Sequence, residues 1–243
     1  MSLFPANICH LTFTHSDCFD VLAIYQSQMR RYFNSGLEQF YASNVPVKNT
    51  SNTIIYTDSD QYPKRLYDAL EQLKNKYEYV FFDHEDMFLY AEPKLSTLSN
   101  YFDLMLSEGF DHIRMIKNEG ALVTQHETEP SLFKISMRSN WVFSIQPGFW
   151  KIKTFQKILE KNFSRNIWEL EVKAQNQIKK LKISALYSYS KGAKRGLHHY
   201  DNDVYPYVAT AIGKGQWNFS EYREELVPLL QDFGIDPSIR GVF

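Results

Sequence analysis

Apolar positions along the chain fall into short runs that alternate with stripes of helical period. Residues 8–13, Ile8-Cys9-His10-Leu11-Thr12-Phe13, form one run, which ends at the polar cluster Thr14-His15-Ser16-Asp17. Phe19, Leu22, Tyr25, Met29 and Tyr32 then recur at three- and four-residue steps, the spacing of a helix that lays one face on a sheet. A polar stretch over 43–52, with Pro46 in it, predicts a loop, and 53–57 predicts a second strand ending in the turn Asp58-Ser59-Asp60. Leu66, Ala69, Leu70, Leu73 and Tyr77 mark a second amphipathic helix, and the wholly apolar Tyr79-Val80-Phe81-Phe82 reads as a central parallel strand. Strands alternating with helices of this length predict βαβ units and a parallel or mixed sheet covered on both faces.

The second half of the chain is less regular. Leu95, Leu98, Phe102 and Met105 give a helical stripe and 112–116 a strand; 132–137 and 141–145 are two further runs close enough to pair as antiparallel strands. Helices are expected from Phe155 and over 168–181, and a late strand over 183–189. A polar loop over 190–203 follows, rich in Lys, Arg and His. The closing helix, 220–233, is expected to be capped by Ser220 or Asn218, kinked at Pro228 and stopped by Gly234. No repeat or linker divides the chain, so 1–243 reads as one domain.

Composition narrows the function classes. With 44% hydrophobic and 23% charged residues the 243-residue chain is of ordinary globular make-up, which excludes a largely disordered protein. A formal net charge of -1 provides no overall field for nucleic acid or an anionic membrane. Two cysteines, Cys9 and Cys18, make no disulfide framework, and neither an 18-residue apolar window nor a signal-peptide pattern is present, so a cytoplasmic protein without a transmembrane segment is expected. The 16 Tyr, 18 Phe and 4 Trp suit either a bulky core or a site that stacks rings and sugars.

Candidate chemistry concentrates where the strand 79–82 runs into Asp83-His84-Glu85-Asp86. In an open α/β sheet ligands sit beyond the carboxyl ends of the strands, and a hard divalent cation needs only one or two carboxylates there, with water and phosphate oxygens completing its shell. Asp83 and Glu85, two apart, are the expected ligands. The turns Thr14-His15-Ser16 and Thr57-Asp58-Ser59 lie where such a sheet holds a base and ribose, and Arg65 in the next helix is within reach of a phosphate. Lys194 and Arg195, bracketed by Gly192 and Gly196, suggest a mobile loop closing over a diphosphate, with His198 or His199 giving the metal a nitrogen ligand. Glu169 and Glu171, beside Trp168, are candidates for a general base: an indole can stack on a sugar and desolvate the acid. Both acids also suit a helix start for the dipole alone; if one is the base, Glu171 is preferred.

An apolar strand followed by a carboxylate cluster, after two βα units, resembles the DXD region of glycosyltransferases of the GT-A fold. The stretch Ser144-Ile145-Gln146-Pro147-Gly148-Phe149-Trp150 is similar to the segment where a strand meets the sugar pocket in those enzymes. Asn166-Ile167-Trp168-Glu169-Leu170-Glu171 resembles the one that opens the helix carrying their catalytic base. Residues 212–217, with Gly234-Ile235-Asp236 and Arg240-Gly241, look like C-terminal patterns of small bacterial and viral sugar transferases. The cluster here is Asp-His-Glu-Asp where the family has Asp-x-Asp, so Asp86 stands as a substitute ligand beside Asp83 and Glu85.

The resemblance implies an α/β, GT-A-like (nucleotide-diphospho-sugar transferase) Rossmann-like mixed sheet flanked by helices. Residues 1–90 would form its nucleotide-binding half and 91–243 its sugar and acceptor half. It implies a nucleotide-diphosphate sugar as donor, Mn2+ or Mg2+ as cofactor, a glycan or other hydroxyl as acceptor, and inversion at the anomeric carbon. Gly148 and Trp150, with Trp168, would line the sugar site. Two other readings use the same residues: a metal-dependent nucleotidyltransferase or phosphohydrolase, and a non-catalytic carbohydrate-binding protein. The first turn has no glycine-rich phosphate loop, which weighs against phosphate chemistry. The sequence leaves the oligomeric state open.

Overall fold

Period-two burial organises the centre of the molecule. The structure, a computed structural model, describes residues 3–243. Strand β1 (Ile8–Phe13) leads through a 3-10 turn into helix α1 (Phe19–Tyr32); β2 (Gln39–Ser43) and β3 (Thr53–Ile55) follow, then α2 (Tyr62–Leu73) and β4 (Tyr79–His84). Next come α3 (Leu95–Glu108), β5 (His112–Arg114), β6 (Lys117–Asn118), β7 (Val123–Gln125), β8 (Leu132–Ile135), β9 (Gly148–Lys151), α4 (Ile152–Glu160), α5 (Ile167–Leu181) and β10 (Ala185–Ser188). The short strands β11 (Lys194–Arg195), β12 (His199–Tyr200), β13 (Ile212–Gly213) and β14 (Gln216–Trp217) precede α6 (Phe219–Asp232) and α7 (Pro237–Arg240).

Nine strands form one sheet in the order β3-β2-β1-β4-β9-β5-β10-β8-β7. β1, β2, β3 and β4 are parallel, while β9 runs antiparallel between β4 and β5. Along β4, Tyr79 and Phe81 join one core while Val80 and Phe82 join the other, as alternation requires. Helices α1, α3 and α6 cover the first face; α2, α4 and α5 cover the second. Each fully buried Leu, Phe or Ile adds about 1.5–3 kcal/mol, so these two layers supply the main driving force of the fold.

Asp83 does not leave the sheet. The strand extends two residues beyond its apolar run, so Asp83 is its penultimate residue, fully enclosed and facing α1. Its carboxylate accepts from Thr12 Oγ1 at 2.9 Å and Tyr25 OH at 2.8 Å and meets His10 Nε2 at 3.0 Å. Four side chains from β1, β4 and α1 thus close a polar network inside the sheet, and the expectation of Asp83 as a cleft-facing metal ligand is corrected to a structural tie. Burial explains the arrangement: an enclosed carboxylate is tolerated only when several donors satisfy it.

Two other expectations are corrected, and one strand was not read from the sequence. β2 was not legible, because Gln39-Phe40-Tyr41-Ala42-Ser43 is short and lacks clear alternation. Residues 141–145 form no strand. The Gln175 side chain on α5 accepts from Val142 N at 2.7 Å and Phe143 N at 3.0 Å and donates to Phe143 O at 2.7 Å, taking the place of a ladder. β8 pairs instead with β10 and β7. In the closing helix Asn218 is the cap, accepting from Glu221 N, and the non-helical backbone falls at Tyr222 rather than at Pro228. Gly234, with φ of 62°, does follow the helix end.

Removing the Asp83 carboxylate as Asp83→Ala should lower the unfolding free energy by about 3–5 kcal/mol, the usual effect of breaking a buried charged network. Urea denaturation reads this as a lower midpoint at unchanged slope; a wild-type midpoint would show the network to be dispensable.

Candidate functional site

The first four strands place a crevice. The chain runs outward from β1 to β2 and β3, then returns to the other side of β1 as β4, so β1 and β4 flank the switch point of the order. What leaves their carboxyl ends therefore faces a common opening. Glu85 N donates to Phe13 O at 3.3 Å, which holds the turn after β4 against the end of β1.

His84, Glu85 and Asp86 gather in that turn, each offering a ligand atom, and these atoms lie within 4.8 Å of one another. His84 Nε2 meets Tyr62 OH at 2.7 Å, and burial pulls its pKa down to about 3, so the ring is neutral and its other nitrogen can act as a ligand. Burial pushes Asp86 up to about 7 and Glu85 well above the ordinary carboxylate range, with the neighbouring Asp86 raising Glu85 further. One imidazole and two desolvated carboxyls repelling each other are a donor set that suits a divalent cation such as Mn2+ or Mg2+. Cys18 faces the Glu85 carboxyl, and burial keeps it a thiol. Sequence reasoning had passed over His84 and Tyr62. The available signal was the length of β4: with Asp83 still inside the strand, the three residues after it are the ones at the opening.

The expected nucleotide residues come together at the ends of β1 and β3. His15 Nε2 lies 3.1 Å from Asp58 Oδ1, Asp58 pairs with Arg65 at 3.1 Å, and the Arg65 guanidinium sits 5.1 Å over the Tyr56 ring. Ser16 N donates to Asn44 Oδ1, and Thr14 accepts at its carbonyl from Tyr56 OH, leaving its buried hydroxyl without a partner.

A cavity of about 520 Å³ opens in the second half of the chain. Trp141, Ser144, Gln146, Glu171, His198 and Thr210 are among its walls. Glu171 is largely buried, which raises its pKa, and its Oε1 accepts from Ile145 N at 2.7 Å. The cavity adjoins the acid cluster through two elements. Tyr62, bonded to His84, feels the charges of Glu171, Glu85 and Asp86 together. Residues 209–212 run from the cavity wall to Asp86, with Ala211 N donating to the Asp86 carbonyl.

Several expected site residues do other work. Glu169 forms a reciprocal capping box with Asn166 at the start of α5. Trp168 is 66% exposed and is absent from the cavity wall. Trp150 is buried and stacked on His112 at 3.5 Å, and a side chain at Gly148 would strike the β5 backbone, so both serve strand packing rather than a sugar site. The cations of the basic loop are engaged within the chain: Lys194 pairs with Glu119, and Arg195 with Asp201 at 2.9 Å and with Glu225. Gly192 and Gly196 are glycines because a Cβ there would collide with the Asp201 carbonyl and the Glu221 carboxylate. His198 and His199 line the cavity, outside the cation group; His199 Nε2 meets Tyr222 OH at 2.7 Å.

The raised carboxyls make stability depend on pH. Because the folded pKa of Asp86 lies above its unfolded value, stability is complete below the ordinary carboxylate range, near pH 4, and drains as pH rises to about 7. Thermal melts from pH 5 to 8 should show the metal-free protein losing melting temperature over this window, and Asp86→Asn should flatten the loss. An Asp86→Asn profile parallel to wild type would place the titration elsewhere.

No protein-family model matches the sequence, and no curated protein does. Solved structures share its architecture. A CMP:2-keto-3-deoxy-manno-octonic acid synthetase complexed with CTP aligns at TM-score 0.51 and 9% identity, over 76% of this chain and 90% of that one. An apo UDP-glucose pyrophosphorylase aligns at TM-score 0.43 and 9% identity, over 77% and 75% of the two chains. A 4-diphosphocytidyl-2C-methyl-D-erythritol synthase from Anaerococcus prevotii DSM 20548 aligns at TM-score 0.43 and 12% identity, over 77% and 89%. At such identities the likeness is one of fold, and the first alignment carries it: the chain shares the mixed α/β, Rossmann-like architecture of that synthetase.

Proposed function

We propose that the protein is a glycosyltransferase that moves a sugar from a nucleotide-diphosphate donor to an acceptor hydroxyl with inversion. The observation that carries this reading is the adjacency of two unlike acidic centres: the His84-Glu85-Asp86 cluster at the switch point, and the lone desolvated carboxyl of Glu171 on the wall of a sugar-sized cavity. Residues 1–90 supply the nucleotide side through Thr14, His15, Ser16, Asp58 and Arg65, and 91–243 supply the sugar and acceptor side, since every cavity wall residue lies between 116 and 210.

His84, Glu85 and Asp86 would hold the divalent cation, which supplies charge neutralisation to a diphosphate leaving group. Glu171 takes the proton. Its Oε1 is fixed by the Ile145 amide, which leaves Oε2 to accept the acceptor's hydroxyl proton as that oxygen bonds to the anomeric carbon; the bond from that carbon to the diphosphate oxygen breaks, and its electron pair leaves with the nucleotide. Burial raises the proton affinity of Glu171 towards working pH, which is where a general base is most effective.

A nucleotidyltransferase is the second reading, and one observation favours it: the fold alignment with a synthetase complexed with CTP. Products separate the two. A glycosyltransferase releases nucleoside diphosphate, whereas a nucleotidyltransferase consumes a triphosphate and releases pyrophosphate.

Glu171→Gln should lower glycosyl transfer by about 100- to 10,000-fold while leaving donor affinity by calorimetry unchanged, because the amide oxygen can still accept from Ile145. Glu169→Gln, which alters only a helix cap, should change turnover little. Near-normal transfer by the Glu171 variant would remove the base assignment. Pyrophosphate release from a nucleoside triphosphate by the wild type, without nucleoside diphosphate from any sugar donor, would replace the whole reading.

A further inference from the structure

We propose that the cavity beside Glu171 binds a carboxylate, carried by the acceptor or the transferred sugar, and that Arg114 is the residue that receives it; this rests on the transferase reading above. Arg114 ends β5 and is fully buried. Its two hydrogen bonds are long, Nη1 to Ser144 Oγ at 3.4 Å and Nη2 to Trp141 O at 3.4 Å, and its Nε has no partner. Among the described residues no carboxylate lies within ion-pair distance of it. Arg65, Arg195 and Arg240 each have one. A guanidinium carries five N–H donors, and the Tyr187 ring 5.9 Å from its centre is a weak substitute for a counter-ion, so this one is poised for an anionic partner.

The cavity is where that partner would enter. Both residues that hydrogen-bond the guanidinium, Ser144 and Trp141, are cavity walls, so Arg114 lies just behind the wall, and a ligand oxygen that displaces those 3.4 Å contacts reaches its N–H groups. Glu171, whose charge acts on Arg114, is turned to the Ile145 amide, one residue along from Ser144. Lys194 and Arg195, the cations first suggested for an anion, are engaged by Glu119, Asp201 and Glu225. A carboxylate is favoured over a phosphate for two reasons. Its two oxygens match the planar fork, and as a monoanion it is repelled less by Glu119 and Glu171, which share the cavity wall.

Calorimetry and thermal shift with D-glucuronate, D-glucose and inorganic pyrophosphate test the proposal on wild type, Arg114→Met and Arg114→Lys. Wild type should bind glucuronate at least tenfold more tightly than glucose; the Met variant should lose that difference and the Lys variant keep part of it. Without ligand, Arg114→Met should melt no lower than wild type, since Met fills the space of the stem and removes an unpaired charge. Equal binding of glucuronate and glucose by wild type would overturn the proposal. So would pyrophosphate outcompeting glucuronate, and so would an Arg114→Met variant that melts lower or fails to fold, because the guanidinium would then be a structural tie. Nucleoside diphosphate with manganese, titrated into the wild type, keeps the two readings apart. Binding there without a glucuronate preference removes the carboxylate site alone, and no binding removes the transferase reading.

Discussion

One buried carboxylate sets where the chemistry can be. Asp83 pairs across the parallel ladder with Thr12, and its donors come from β1 and α1, so the ends of β1 and β4 are locked in register with Phe13 opposite His84. Once this is fixed, the chain must leave the sheet after His84, and the three residues His84, Glu85 and Asp86 emerge together at the switch point. A one-residue slip would send the Asp83 side chain to the α2 face and His84 to the α1 face, where neither finds its present partner. The network is thus a stability element and a positioning element at once.

Helix α5 does for the cavity what Asp83 does for the crevice. The segment 141–145 is apolar enough to be a strand, yet its amides are taken by Gln175 and Glu171 from the helix above it. That irregular backbone frees Ser144, Trp141 and Gln146 to turn towards the cavity, which a ladder would have prevented for alternate residues. The orientation of Glu171 is fixed through one oxygen by the same contact that shapes the wall, and the other oxygen is left for the proposed proton transfer.

The central architecture was legible because it rests on periodicity: the runs at 8–13 and 79–82 and the stripes of α1, α2 and α3 are all set by burial against one sheet. The acidic turn at the end of β4 was legible, and the placing of Asp83 in it erred because apolar character was taken as the mark of the strand. Thr12 and Asp83 are polar residues inside strands, paired with each other across the sheet, and a single sequence does not show that pairing. The places of Glu85, Asp86 and Glu171 in the structure follow from position at a strand end or a helix start, which a sequence does show. Gly148, Trp150, Lys194 and Arg195 were misread for one common reason. Close packing and ion pairing with residues distant in sequence, such as His112, Glu119 and Glu225, consume groups that look available when only their neighbours are known.

Fold likeness does not choose among chemistries, since one architecture hosts several; the environments of the carboxylates bear on that choice. Asp83 has both oxygens supplied with donors inside the sheet, which makes it a structural tie. Glu85 and Asp86 are close, desolvated and mutually repelling, a pair whose charge is best relieved by a shared cation. Glu171 is desolvated but stands apart from that pair, tethered at one oxygen only, so its open oxygen is suited to a proton rather than a metal. Environments that push like groups towards unlike roles are how one site separates acid-base work from charge neutralisation. A cation held by the one group and a proton taken by the other would meet the needs of the proposed displacement of a diphosphate by a hydroxyl.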